Sequence, residues 1–166
     1  MSMAPSSILV IGAGELGNAV LQSLATHPHR GTTQIDVLLR PSTISSNDEA
    51  KKKTVEEIRQ LNVDLVSGDI VEGTIDQLKA TFGLYHTVIN CSGMFLPSGT
   101  QTRVAEAIVA SDCARYFPWQ FGVDYDAIGR NSSQDLFTEQ LGVRDILRGQ
   151  TKVVCCINII YHVHLR

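Results

Sequence analysis

The sequence has no excess of positive charge and no long apolar run. Its 14 lysines and arginines are outnumbered by 17 aspartates and glutamates, which gives a net charge of −3 over 166 residues. Domains that bind nucleic acid or anionic membranes usually carry a basic surface, so this balance supports neither partner. No apolar run approaches the roughly 18 residues of a membrane-spanning helix. We therefore expect no nucleic-acid partner and no membrane partner.

The cysteines and histidines lack the grouping of a metal site. The chain has four cysteines, Cys91, Cys113, Cys155 and Cys156. Three of them lie in or beside predicted core strands, which favours buried free thiols in a reducing cytosol, with disulfides as the alternative. His162 and His164 alternate along a predicted strand, but two histidines without a third ligand favour coincidence. We expect no metal and a cytoplasmic protein, since residues 1–7 also lack the features of a secretory signal.

A glycine-rich turn between a strand and a helix is the most informative stretch that is present. The apolar residues 8–11 end at a G-x-G-x-x-G motif, in which Gly12, Gly14 and Gly17 are the glycines. In a dinucleotide-binding turn these three allow the sharp turn, the close approach of a pyrophosphate, and tight packing of helix on strand. The N–H groups at the helix start then hold the phosphates. This context favours a dinucleotide site over a purely structural turn, with Glu15 pointing to solvent.

Short apolar strands alternate with amphipathic helices along the rest of the chain. Strands are predicted at residues 8–11, 35–39, 63–66, 88–91, 115–117 and 153–160. Helices are predicted at 15–26, 51–61, 74–82, 101–110 and 134–148, and a polar loop at 42–48. Such alternation builds right-handed βαβ units and a parallel sheet covered on both faces. The sequence therefore predicts one α/β domain with a doubly wound, Rossmann-like parallel sheet of about six strands.

Residues that follow the strands are the candidate site, because ligands bind beyond the carboxyl ends of an open parallel sheet. Arg40 ends the second strand, and a guanidinium can bind a phosphate or stack on adenine. Asp36 has the spacing of an NAD-selecting carboxylate, but it opens its strand and should lie far from this end. Arg40 therefore favours NADP(H) over NAD(H). Asp69 after the third strand is predicted near the adenine, and Ser92 and Gly93 after the fourth near the nucleotide.

Several motifs together resemble the NmrA-like group of atypical short-chain dehydrogenases, which includes the isoflavone and phenylcoumaran benzylic ether reductases. They are GAGELG, LLRP, VSGDI, RYFPWQFGVDYD and the helix LFTEQLGVRDILRGQ, and the fungal isoflavone-reductase-like branch is the most similar. The resemblance covers about residues 8–150. It implies NADP(H) binding at Gly12, Gly14, Glu15, Leu16, Gly17 and Arg40. It also implies that residues 117–122, with Phe121 and Gly122, line the nicotinamide end, and that the substrate is an aromatic small molecule.

The chain departs from the family pattern at the position of the catalytic lysine. Alignment of VRD with the family's VRR places that lysine at Gln140, and an amide cannot transfer a proton near neutral pH. The family's P-S-E-F-G is P-W-Q-F-G here, so Trp119 is either a ligand-stacking or a packing residue. No Tyr-x-x-x-Lys pair is present, and no catalytic residue is predicted.

A second departure concerns the end of the chain. Family members are longer, and residues 151–166 form an atypical tail that resembles the family poorly. We expect a chain truncated after its Rossmann part, without the C-terminal part that binds substrate, which self-associates and has negligible turnover.

Two functions remain open at this point. The first is the NADP(H)-binding domain of an isoflavone-reductase-like oxidoreductase, impaired in catalysis. The alternative is a non-catalytic NAD(P)-sensing regulatory protein of the NmrA type that acts through a protein partner. NADPH consumption in the presence of aromatic and enone substrates distinguishes the two.

Overall fold

The computed structural model describes residues 6–130 and 135–155 of the chain. Within these ranges, strands and helices alternate as the sequence predicts. The strands are β1 (Ser7–Ile11), β2 (Gln34–Leu39), β3 (Asp64–Ser67), β4 (Thr87–Asn90), β5 (Arg115–Phe117) and β6 (Val154–Cys155). The helices are α1 (Glu15–Ala25), α2 (Pro41–Ile44), α3 (Glu49–Gln60), α4 (Ile75–Phe82), α5 (Thr100–Ala110), α6 (Tyr125–Ile128) and α7 (Asp135–Arg148).

The six described strands form one parallel sheet in the order β3-β2-β1-β4-β5-β6. This is the strand order of the doubly wound dinucleotide-binding fold, whose direction of winding reverses between β1 and β4. Val10 of β1 pairs with Val37 of β2 on one side and with Ile89 of β4 on the other. The carboxyl ends of these three strands therefore lie at one edge of the sheet. The predicted Rossmann-like fold with about six strands is confirmed.

Apolar side chains cover both faces of the sheet. Because successive side chains of a strand point to opposite faces, Leu9 and Ile11 pack on one face and Val10 on the other. The first face is covered by α4, α5 and α7 through residues such as Phe82. The second face is covered by α1 and α3 through residues such as Leu21. Full burial of each such side chain stabilises the fold by about 1.5–3 kcal/mol.

One predicted segment differs from the structure, and another lies partly outside the described residues. The polar loop predicted at 42–48 begins with the short helix α2, because Pro41 at its first position has a suitable φ and no N–H to leave unpaired. The sixth strand, predicted at 153–160, contains Val154–Cys155 in the described part of the chain. Residues 156–160 lie outside the described residues, as do Cys156, His162 and His164.

Two cysteines are buried in the core with free thiols. They are Cys91, directly after β4, and Cys113, shortly before β5. Burial raises the pKa of Cys91 to about 12, so its thiol stays protonated and unreactive at neutral pH. In the described ranges, no helix is both long enough and apolar enough to span a membrane.

Candidate functional site

Two of the three motif glycines, Gly12 and Gly17, are required by the structure itself. Gly12 has a φ of +87°, and a Cβ there would lie 1.9 Å from the hydroxyl oxygen of Ser92. That hydroxyl donates to the carbonyl of Ile11 and fastens the loop after β4 to the end of β1. A Cβ on Gly17 would lie 2.1 Å from the Gly12 carbonyl oxygen, so α1 packs directly on the turn.

Gly14 is different, because nothing in the fold requires a glycine there. It caps the start of α1 with a φ of −73°, and a Cβ on it would meet no atom within 4 Å. The cap also provides no side-chain acceptor for the N–H groups of the first helical turn. Glu15 is exposed and Leu16 is half-buried against the core. The start of α1 is therefore open to solvent with its N–H groups available to an anion.

A cleft of about 130 Å³ lies beside this turn, at the carboxyl ends of β1 and β2 and the loops after β3 and β4. It is lined by Ile11, Gly12, Leu38, Leu39, Arg40, Thr43, Gly68, Ile70, Val71, Ser92 and Leu96. Arg40 is exposed, and its guanidinium makes no hydrogen bond or ion pair with any described residue. Its five N–H donors are therefore free to bind a phosphate.

The structure places the two candidate carboxylates outside this cleft. Asp69 borders a neighbouring pocket, and its Oδ1 accepts from the backbone N–H of Val71 at 2.8 Å, which closes a turn. Asp36 is buried within β2, where it accepts from the Tyr85 hydroxyl and from Gln34 Nε2. Burial and this bond raise the pKa of Tyr85. As the sequence predicts, Asp36 lies away from the strand end that carries Arg40.

On the other side of β1, an aromatic ring covers the end of β4. Three atoms of the Trp119 indole would lie 1.9–2.4 Å from a Cβ on Gly93, so the ring packs directly on this buried glycine. Phe121 is half-buried, while Gly122 is exposed with a φ of +94°. The residues predicted for the nicotinamide end are thus grouped at the ends of β4 and β5.

A buried polar network fixes the segment after β5 on α7. Gln120 donates to the backbone carbonyl of Gln140 at 2.7 Å and accepts from Arg144 Nε at 2.8 Å. The Arg144 side chain is completely buried and continues to Asp126, which also binds Arg148. Sequence reasoning missed this network. The available signal was the complementary charge of two segments, DYD at residues 124–126 and VRDILR in α7.

These features agree with a comparison of the sequence with known families. The model of the NmrA-like family matches residues 4–161. The chain belongs to the NmrA-like family. This confirms the resemblance that the glycine turn, the PWQFGVDYD block and the VRDILR helix indicated.

The curated relatives of this NmrA-like chain include proteins named as an oxidoreductase and as a reductase. It is 51% identical over 146 residues to an NmrA-like family domain-containing oxidoreductase of Gibberella moniliformis, covering 88% of this chain and 48% of that protein. It is 32% identical over 123 residues to phenylcoumaran benzylic ether reductase TP7 of Nicotiana tabacum, covering 73% of this chain and 37% of that protein. The chain spans about half or less of the length of these relatives.

Solved structures of similar fold include complexes with NADP. AtPrR2 with NADP+ and (+)pinoresinol has a TM-score of 0.69 and 22% identity, over 89% of this chain and 47% of that one. The binary complex of leucoanthocyanidin reductase with NADPH from Vitis vinifera has a TM-score of 0.68 and 21% identity, over 87% of this chain and 46% of that one. At these identities the matches show that the NmrA-like chain shares their fold.

Gln140, at the position predicted for the lysine, is completely buried on α7. Neither its side-chain oxygen nor its nitrogen has a hydrogen-bond partner among the described residues. An amide has no proton to exchange near neutral pH, so this side chain cannot act as an acid or base. Across the same ranges, no three His, Cys, Asp or Glu side chains are grouped to hold a metal ion.

The network of this NmrA-like chain predicts a pH effect on stability. Hydrogen bonds from Arg148 and Arg144 lower the pKa of Asp126 to about 2 from its ordinary 3.8. The pKa of Asp126 is lower in the folded state than in the unfolded state. The ionised Asp126 therefore stabilises the fold above about pH 4, and this contribution is lost as the pH falls through about 2. We expect the unfolding free energy of Asp126→Asn to fall less than that of the unmodified chain between pH 5 and 2, measured by urea unfolding.

The matched control for this experiment is Asp112→Asn. Asp112 is exposed and forms a single exposed ion pair with Lys152, which contributes little. Its pH profile should follow that of the unmodified chain. Identical profiles for all three proteins would show that the network does not hold the Asp126 carboxylate.

Proposed function

We propose that this chain is the NADP(H)-binding domain of an isoflavone-reductase-like oxidoreductase. The observation that carries the proposal is the unpaired Arg40 guanidinium on a cleft that also borders the open glycine turn. Both features suit phosphate groups, one at the ribose and one at the pyrophosphate. The complexes of AtPrR2 with NADP+ and of leucoanthocyanidin reductase with NADPH support the choice of cofactor.

Each part of the site would hold a different part of the cofactor. The open backbone at Gly14 and the N–H groups of Glu15, Leu16 and Gly17 would hold the pyrophosphate, and Arg40 the 2′-phosphate. Asp69 would act at the adenine edge only if its turn rearranged, because its Oδ1 already accepts from Val71.

The remaining candidates lie at the far end of the site. Ser92 and Gly93 would border the nicotinamide ribose, and Phe121 and Gly122 the nicotinamide. Once bound, NADPH supplies a hydride, and the residues of this chain bind and orient it. An aromatic small molecule is the proposed substrate class, since (+)pinoresinol is bound in the AtPrR2 complex.

Arg40 should give the chain a preference for NADPH over NADH. In Arg40→Ala we expect this preference to fall by about 1.5–3 kcal/mol, the contribution of a hydrogen bond to a charged group. Titration calorimetry with both nucleotides measures it. Arg115→Ala is the control, because Arg115 is an exposed arginine at the amino end of β5, at the opposite edge of the sheet. Equal affinities of the unmodified chain for NADPH and NADH would refute the role of Arg40.

The second candidate is a regulatory protein that binds NAD(P) without turnover and acts through a protein partner. The observation that favours it is Gln140, whose buried amide stands at the position predicted for the family's proton-transferring lysine. Under this function the chain binds NADPH but consumes none with aromatic and enone substrates. Measurable consumption that saturates with substrate would favour the oxidoreductase instead.

We also propose that the protein works in the cytoplasm. The support is the pair of buried free thiols, Cys91 and Cys113, which suits a reducing compartment. Localisation of a tagged protein in cells tests this.

A further inference from the structure

The contact between Trp119 and Gly93 occupies the space beyond the end of β4. The three nearest indole atoms would lie 1.9, 2.2 and 2.4 Å from a Cβ on Gly93. Real Cβ atoms do not approach other atoms so closely, so the ring fills the place of a side chain at this position. The indole therefore covers the carboxyl end of the strand that adjoins the switch point of the sheet.

The cleft with Arg40 does not include this contact. Its lining includes Ser92 but neither Gly93 nor Trp119. Its volume of about 130 Å³ is well below the roughly 300–1,000 Å³ of pockets that enclose a whole small ligand. In a doubly wound sheet a dinucleotide extends across the switch point, from the β1–β2 side to the ends of β4 and β5. The cleft thus lies where the adenosine half would bind, and the indole lies where the other half would extend.

The indole is held by packing alone, whereas its neighbour in the chain is anchored. In the part of the chain that the structure describes, the indole N–H has no hydrogen-bond partner, and Trp119 is only half-buried. The next residue, Gln120, is fixed between α7 and the completely buried Arg144. A rotation of the Trp119 side chain would therefore uncover Gly93 without moving the backbone.

We propose that Trp119 covers the nicotinamide half of the dinucleotide site and must leave Gly93 before that half can bind. The indole stays on Gly93 when an adenosine 2′,5′-bisphosphate group fills the cleft, and it leaves Gly93 when the nicotinamide half enters. Leaving costs the packing of the ring, so the nicotinamide half adds little to the affinity. This inference rests on the proposed binding of NADP(H), which the first experiment tests separately.

Trp119 is the single tryptophan of the chain, so its fluorescence reports on this contact directly. The unmodified protein is titrated with adenosine 2′,5′-bisphosphate and, separately, with NADP+. The first ligand should bind without changing the emission maximum. NADP+ should shift the emission to longer wavelength and increase quenching by acrylamide, because the indole becomes exposed to water.

Calorimetry on Trp119→Ala provides the second measurement. We expect NADP+ to bind this variant about tenfold more tightly than it binds the unmodified chain, because no indole then has to be displaced from Gly93. The affinity for adenosine 2′,5′-bisphosphate should stay within about twofold, which also shows that the variant is folded. Leu84→Ala is the control, since Leu84 is an exposed apolar residue near the amino end of β4, at the opposite edge of the sheet.

The outcomes separate this inference from the function on which it rests. If adenosine 2′,5′-bisphosphate fails to bind the unmodified chain, the proposed NADP(H) site is wrong and the role of Trp119 fails with it. If it binds, but NADP+ leaves the emission unchanged and Trp119→Ala leaves the NADP+ affinity unchanged, only the role of Trp119 is overturned. A weaker affinity of Trp119→Ala for NADP+ also overturns it, because the indole would then stack on the nicotinamide.

Discussion

Gly14→Val is expected to remove NADPH binding while leaving the fold intact. The φ of −73° at Gly14 suits any residue, and a side chain there points into open space. The change in unfolding free energy should stay below about 1 kcal/mol, which is the cost of a poorer cap. The same open space is where the pyrophosphate must approach the backbone. We expect a loss of affinity of at least about 100-fold, or ~2.7 kcal/mol, measured by titration calorimetry.

Gly12→Val is the matched control for this result. At Gly12 the φ of +87° and the Ser92 hydroxyl both oppose a side chain, so this variant should lose stability as well as binding. Thermal unfolding of the two variants therefore separates a ligand requirement from a folding requirement. NADPH binding retained in a folded Gly14→Val protein would place the nucleotide elsewhere.

Arg144→Met should strongly lower the stability of the fold. Among the described residues, Arg144 is the largest completely buried side chain, and its loss leaves the buried Oε1 of Gln120 without its donor. An unsatisfied buried acceptor costs about 1–3 kcal/mol. Asp126 loses one of its two arginines but remains partly exposed to water. We expect the unfolding free energy to fall by about 2–3 kcal/mol in urea at pH 7.

Arg148→Met distinguishes the buried arginine from a general effect of charge. Arg148 binds the same Asp126 carboxylate, but its side chain is half-exposed. Exposed ion pairs contribute about 0–1 kcal/mol, so this variant should be much less affected. Equal losses in the two variants would mean that burial of Arg144 and its bond to Gln120 do not stabilise the fold.

The strands and the glycine turn could be predicted because their signals are local. The apolar run before Gly12 and the helical spacing after it define β1, the turn and α1 within 20 residues. Arg40 was predicted at a strand end for the same reason, since β2 ends at Leu39. Local signals also have a limit, because Pro41 starts a short helix where polar composition indicated a loop.

The rest of the site depends on contacts between distant segments, which no local pattern encodes. Gln120 and Arg144 meet because α7 packs against the segment after β5, and their pairing follows from the three-dimensional arrangement. Trp119 could be identified as unusual for the family, but its contact with Gly93 requires the relative placement of β4 and β5. Asp69 is the exception, because its carboxylate is engaged by a local turn, through the backbone N–H of Val71.

The bond from Ser92 to Ile11 also has a consequence for how the chain folds during synthesis. Its partners are 81 residues apart, and the β1–β4 pairing that it completes is equally non-local. At about 5–20 residues per second, the ribosome delivers Ser92 about 4–16 s after Ile11. Until then β1 has one free edge and the glycine turn lacks its closing wall. The nascent chain therefore exposes an apolar strand for seconds, and chaperone binding or misassembly can occur in this interval.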